Sequence, residues 1–265
     1  SEREYPMFNW DHICIEARDP ETGRTINQSA FTDEHLAAYE KMQPALFYAQ
    51  YMQAPLQSAG TIFDIATLRT KIYEDIPQNK IENISENILI MIDPNGNSTT
   101  SSDTTAIVVL KMFFIKGETF KLPHVVIEDI YDQKEPSFAF IIHKCELVIR
   151  KYLEQIKYVF PEAHTFGHAL SDALISMTKS QDGIKKLELS SFKIIPVKRS
   201  AEKRAFMQKV SPHAYTHIYL YQSKMDMYKK MFDEMLNITI TNKDCKDDIT
   251  DALCEGLNQL YEKKA

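Results

Sequence analysis

Ile88-Leu89-Ile90-Met91-Ile92-Asp93-Pro94-Asn95-Gly96 sets five consecutive apolar residues against an acid and then a proline, an asparagine and a glycine. A short unbroken apolar run suits a strand buried on both faces, as at the centre of a sheet with helices on either side. Pro94 and Gly96 end the strand at once, which leaves Asp93 at its C-terminal tip. A carboxylate there projects into a cleft, although Asp at such a position also serves as an ordinary turn former.

Working outward, the polar loop 97–103 leads into a β-rich run over 105–114, a turn at Lys116-Gly117-Glu118 and a third strand near 124–131. Pro136 opens a long pattern with apolar residues at helical spacing, which predicts a helix over 137–158. Residues 165–171 predict a fourth strand ending at Asp172, a helix follows to 189, and 192–197 form a fifth strand. Further helices are expected near 200–210, near 224–236 and over 247–261. A three-stranded meander followed by helix, strand, helix, strand and helices is the order of a ribonuclease H-like fold. The expected class is therefore α/β, with a central mixed sheet of about five main strands flanked by helices.

Residues 1–80 read differently, because Pro6, Pro20, Gly23, Pro44, Pro55 and Gly60 interrupt them. They form a lead-in arm with one short helix running to Met42, for which Thr32 is the N-cap; the folded domain is 81–265. No GxxxxGK[ST] occurs, so these residues hold no phosphate-cradling P-loop, and an ATPase motor is expected to lie outside them.

The chain has 265 residues, 44% of them hydrophobic, enough for one large domain with an extension. No apolar run approaches the roughly 20 residues that span a bilayer, and SEREYPMFNW has no secretory pattern. A cytosolic protein without a membrane partner is expected. The four cysteines show no CxxC spacing, which argues against zinc and against structural disulfides.

A net charge of −6 argues at first against a nucleic-acid partner. Its distribution argues the other way. Bases cluster over 193–209, where Lys198, Arg199, Lys203 and Arg204 are candidates for holding a DNA backbone, with a solvated helix face as the alternative. Acids concentrate at Asp244, Asp247, Asp248 and Asp251.

Asp172 opens a helical stretch and, taken by itself, reads as an N-cap. In the third acidic segment, Asp247 and Asp251 stand at i and i+4 and Asp248 and Asp251 at i and i+3, on one helical face. Bare carboxylates at that spacing repel, with partial compensation from the helix dipole. A divalent cation reverses the balance by turning repelling acids into ligands. Acids from three separate segments suit two-metal phosphodiester hydrolysis, with two ions roughly 3.5–4 Å apart. Asp93, Asp172, Asp248 and Asp251 are the catalytic candidates, Asp247 is a further ligand candidate, and all-oxygen ligation favours Mg²⁺ or Mn²⁺. Asp103 is a supporting candidate, placed to hold a metal-bound water from outside the ligand set.

These residues together resemble the nuclease domains of tailed-phage and related viral large terminases, from about Trp10 to the C-terminus. Phe47-Tyr48-Ala49-Gln50-Tyr51-Met52-Gln53-Ala54-Pro55 is similar to the segment joining motor to nuclease, and Asp93-Pro94 with Ser102-Asp103-Thr104-Thr105-Ala106 to the first catalytic strand and its successor. Ser171-Asp172-Ala173, with Ile-Pro-Val-Lys some twenty residues later, resembles the second acid; Asp247-Asp248-Ile249-Thr250-Asp251-Ala252-Leu253 resembles the C-terminal acidic helix. The loop 94–102 and the helix 137–158 are longer than the pattern, so Glu128, Asp129 and Glu162 stand as alternatives for the second acid. Where the family often carries His in the third motif, this chain has Lys246 and Asp248.

The resemblance implies an endonuclease that cuts concatemeric duplex DNA as a viral genome is packaged in the host-cell cytoplasm. It implies as partners an ATPase domain of the same protein, a portal and a small terminase subunit. Two other readings share the sequence features: a ribonuclease H-like transposase, integrase or resolvase, and a non-catalytic docking module of a packaging motor. FYAQYMQAP and DDITDAL favour the terminase.

Overall fold

The apolar run at 88–92 forms the end of a long strand, β1 (Ile81–Asp93), whose residues from Ile88 to Ile92 are all at most 2% exposed. The computed structural model describes residues 16–19, 22–42, 47, 51–52, 62–94, 104–118, 122–133, 137–163, 166–179, 192–198, 202–239 and 246–261. They belong to two compact units, Ser1–Gln57 and Ser58–Ala265.

In the first unit, helix α1 (Asp33–Met42) begins where Thr32 Oγ1 accepts a hydrogen bond from the backbone N–H of His35 at 3.1 Å, the capping expected of Thr32. Arg18 pairs with Glu40 at 2.5 Å and lies over the Phe47 ring.

In the second unit a short helix, α2 (Ile65–Arg69), precedes β1. β2 (Thr105–Ile115) and β3 (His124–Gln133) complete an antiparallel meander. The turn between them holds Gly117 at φ +89°, which a residue with a Cβ rarely adopts. Helix α3 (Phe138–Tyr152) and β4 (Ile156–Pro161) come next; then α4 (Phe166–Lys179), β5 (Lys193–Ile194), α5 (Lys203–His217), β6 (Ile218–Tyr219), α6 (Met225–Asn237) and α7 (Asp248–Tyr261). Six strands form one mixed sheet in the order β5-β4-β1-β2-β3-β6, with β4 parallel to β1 and β5 parallel to β4. This is the expected ribonuclease H-like arrangement, with β6 added beside β3.

Strand alternation divides the core in two. Ile88, Ile90 and Ile92 face the side covered by α3 and α4, with Ile141, Cys145, Ile149, Leu170 and Leu174. Leu89 and Met91 face the other side, packed with Leu253 and Leu257 of α7 and Met207 and Val210 of α5. Asp93 continues the Leu89–Met91 parity, so its side chain belongs to the α7 side.

Several expected elements differ: the fifth strand is Lys193–Ile194 within the expected 192–197, and the helix expected near 200–210 runs over Lys203–His217. The helix predicted over 137–158 stops at Tyr152, and the fourth strand is 156–161, with the segment predicted as that strand, 165–171, lying almost wholly in α4. The apolar spacing runs on without a glycine or proline between helix and strand, so the break is made by tertiary contacts. The Gln155 carbonyl accepts from both Asn87 N–H and Ile88 N–H, at 2.9 and 2.8 Å, which lays the next residues beside β1. In α4, Gly167, Leu170, Ser171 and Leu174 are buried at i, i+3, i+4 and i+7, a helical period.

Glu234 on α6 is buried and accepts from Thr250 in the first turn of α7, from the backbone N–H at 3.0 Å and from the hydroxyl at 3.2 Å. That satisfies one of the N–H groups a helix start leaves unpaired. Burial, with Asp248 and Asp132 nearby, raises its carboxyl to about 7 despite the Thr250 bond. For an acid raised in the folded state, the stability it contributes is complete below its ordinary value of 4.5 and is lost as pH rises through about 7. Glu234→Gln is therefore expected to stabilise the protein by on the order of 1–3 kcal/mol at pH 8 and by little at pH 4.5. Thermal denaturation of both proteins at the two pH values checks this, and an equal effect at both would show that Glu234 is not the titrating group.

Among the described residues, no helix is long and apolar enough to cross a membrane.

Candidate metal centre

Parallel pairing of β1 with β4 aligns Ile92 with Pro161, and the Glu162 N–H donates to the Ile92 carbonyl at 2.8 Å. Glu162 is thus set beside Asp93, at the same end of the neighbouring strand. It shares the parity of Phe160, which faces α7. On its other flank Glu162 bridges to Val197, whose carbonyl accepts from Ala163 at 2.7 Å. The strand ends therefore fix two carboxylates through backbone bonds on both sides of β4.

The third comes from α7, whose first turn lies over the same end of the sheet. Asp251, 3% exposed, completes a group in which carboxylate oxygens of Asp93, Glu162 and Asp251 all lie within 4.8 Å of one another. These three line a small cleft with Met91, Ile92, Phe160, Ala252 and Glu255. Close packing holds the arrangement. A Cβ on Gly256 would stand 2.9 Å from the Met91 side chain and 3.0 Å from that of Leu110, so the missing side chain lets α7 press against β1 and β2. A Cβ on Gly167 would fall 1.4 Å from the Glu162 carbonyl oxygen, so α4 starts against the backbone of the second acid only because residue 167 has none.

The electrostatics are those of acids forced together. Burial, then the charges of Glu162 and Asp251, pushes the Asp93 carboxyl well above the usual range, and Lys203 opposes this. Burial works against the Lys203 charge, but Asp251 and Asp247 prevail and hold its ammonium above the ordinary lysine range. Lys203 Nζ stands 2.7 Å from Asp247 and 3.0 Å from Asp251, tying the start of α5 to the start of α7. Asp247, just before α7, also pairs with Arg204 at 3.3 Å.

The predicted residues separate accordingly. Asp93 and Asp251 meet as expected. Asp172 does not join them: it is exposed on α4, and Glu162 supplies the second carboxylate. The correction follows from the displaced fourth strand, since the acid that ends it is Glu162. Glu128 instead pairs with Lys224 at 2.6 Å and Asp129 with Lys151 at 2.8 Å. Asp248 stands outside the three-acid group and accepts from Thr104 N–H at 3.0 Å and Thr104 Oγ1 at 2.8 Å, anchoring α7 to the start of β2. Burial raises its carboxyl against those bonds. Asp247 is a partner of two cations. Lys203 faces the acids, Arg204 is buried against Asp247 and Met207, and Lys198 is exposed. Asp103 and Arg199 lie outside the described residues, as does most of 47–55.

Glu255, missed by the sequence reading, is 8% exposed, one turn beyond Asp251, and its Oε1 accepts from Asn258 at 3.2 Å and Gln259 at 2.5 Å. Its i+4 spacing from Asp251 was the available signal.

No family model and no curated protein sequence matches the chain. Among solved structures, the human cytomegalovirus terminase nuclease domain is similar, with a TM-score of 0.50 and 9% sequence identity, over 73% of this chain and 92% of that one. At that identity the likeness is one of fold, and it extends to nearly the whole of the viral domain.

Proposed function

We propose that this chain is a Mg²⁺- or Mn²⁺-dependent endodeoxyribonuclease that cuts concatemeric double-stranded viral DNA during genome packaging. The observation that carries the reading is the convergence of Asp93, Glu162 and Asp251 from β1, the end of β4 and α7. The similar fold supports it, because that domain is a terminase nuclease.

The donor set fits a hard divalent cation: three carboxylates, no sulfur, and a cluster that is self-repelling without one. Bound there, divalent ions would polarise the scissile phosphodiester and supply hydroxide at neutral pH. The chain's own residues supply the rest. Asp93 and Glu162 are held by backbone pairing, so their carboxylates need little reorganisation. Asp248 and Asp247 fix the first turn of α7 and with it Asp251. Lys198, exposed just beyond the β4 flank, is suited to a phosphate contact, which carries no base information.

The test is cleavage of a supercoiled plasmid with Mg²⁺, with Mn²⁺ and with EDTA, alongside the melting temperature in each. Cutting confined to the two metals is expected, with Mn²⁺ raising the melting temperature because it binds the folded state. Metal-independent cutting, or none together with no stabilisation, rejects the reading.

Gly167→Ala is a second check on the built site. The new Cβ must displace either α4 or the Glu162 backbone, so destabilisation by ~1–3 kcal/mol is expected. The Mn²⁺-induced rise in melting temperature should shrink as well. Retention of the full rise would mean that the Glu162 backbone does not need this close approach.

A further inference from the structure

Lys203 is tied to the acids in a way that cleavage chemistry does not require. It is the first residue of α5, where a cation meets the positive end of a helix dipole. Its ammonium is nonetheless held between Asp247 at 2.7 Å and Asp251 at 3.0 Å, and Asp251 is one of the three converging acids. Lys203 also acts on Asp93, opposing the charges of Glu162 and Asp251 there.

We infer that Lys203 is a tethered internal cation that competes with the divalent ion for Asp251 and so sets how tightly the centre loads. This rests on the metal-centre reading above. A divalent ion taking Asp251 must share it with the ammonium or displace that ammonium to Asp247 alone. Asp247 is a stable second partner, neutralised from its other side by Arg204 at 3.3 Å, so the displaced lysine remains close by. Like charge then persists beside the loaded site and weakens it. Without metal the same ammonium relieves the repulsion among the acids and keeps the empty centre folded. Lys203 is thus a positioning residue of the centre, distinct from the exposed Lys198.

The experiment is a titration of the full 265-residue chain with Mn²⁺ in the absence of DNA, with free ion read from its electron paramagnetic resonance signal. Lys203→Met removes the charge at similar length, Lys203→Gln removes it with a polar end, and Lys203→Arg keeps it. The Lys203 side chain is 38% exposed, so solvent screens the repulsion and the expected gain is about tenfold tighter Mn²⁺ binding in the Met and Gln variants. The Arg variant should stay near the unsubstituted chain. Both neutral variants should also melt at lower temperature in EDTA and recover in Mn²⁺, a crossing that a purely structural tie does not produce. Unchanged or weaker binding in the neutral variants overturns the inference while leaving the metal centre intact. Loss of folding in both, with and without Mn²⁺, overturns it in favour of a structural tie. Absence of Mn²⁺ binding by the unsubstituted chain overturns the metal-centre reading and this inference with it.

Discussion

Asp93→Asn is expected to abolish DNA cleavage and, in EDTA, to make the protein more stable. The loss follows from the position of the carboxylate at the tip of β1, within 4.8 Å of oxygens of both Glu162 and Asp251. A metal clamp on phosphodiester hydrolysis contributes several kcal/mol to the transition state, and at ~1.4 kcal/mol per tenfold that is a rate loss of about a thousandfold or more. The gain in stability has the opposite cause. Burial and two neighbouring acids raise the Asp93 carboxyl, so the folded state binds a proton there more tightly than the unfolded chain. The stability this contributes is complete below the ordinary carboxylate value of 3.8 and is lost as pH rises through the elevated folded-state value. Above that, the metal-free protein carries the full repulsion, which Asn removes. Melting in EDTA at pH 8, with plasmid cutting and DNA binding measured on the same samples, separates the two effects. A variant that is both inactive and less stable in EDTA would show that Asp93 is chiefly a structural residue.

The features legible in the sequence are those written in local chemistry. Five apolar residues closed by Asp93-Pro94 mark a central strand and its terminal acid, because backbone pairing and burial dictate that composition. The i, i+4 apolar spacing of 249–257 marks α7, and the acids before it mark the turn that supplies Asp251. Glu162, which the sequence offers only as an alternative to Asp172, follows a helix-to-strand boundary that has no strong local signal. From Phe138 to Phe160 the apolar residues continue through helix, turn and strand, and the chain turns at 153–155 because the Gln155 carbonyl meets two N–H groups of β1. A clue was present nonetheless. Ile156-Lys157-Tyr158-Val159-Phe160-Pro161-Glu162 repeats the logic of the first motif, with β-branched and aromatic residues, a proline and an acid at the strand end. The basic segment was legible as charge but not as contact. Lys203 and Arg204 are adjacent in sequence, yet one reaches Asp251 and the other is buried beside Asp247, a difference fixed by how α5 meets α7.

Glu162→Gln should reduce cleavage severely, whereas Asp172→Asn should leave it nearly unchanged. Both positions resemble a strand-end acid in the sequence, so the pair isolates what the fold adds. Glu162 is aligned with Asp93 by the parallel register of β1 and β4 and by its own N–H bond to Ile92. Gln there keeps the shape and one neutral oxygen but removes a ligand charge, and by the same arithmetic as for Asp93 a loss of two or more tenfold steps is expected, ~3 kcal/mol. The Mn²⁺-dependent rise in melting temperature should fall with it. Asp172 is exposed on α4, where substitutions ordinarily change free energy by no more than about 0.5 kcal/mol, or roughly twofold in rate. Its charge is screened there by solvent, so the metal response should be retained. Steady-state cleavage with Mg²⁺ and melting with and without Mn²⁺ give both quantities for each variant. The reverse order, with Asp172→Asn inactive and Glu162→Gln active, would move the second ligand onto α4 and would require α4 to turn its exposed face toward β1 when metal binds.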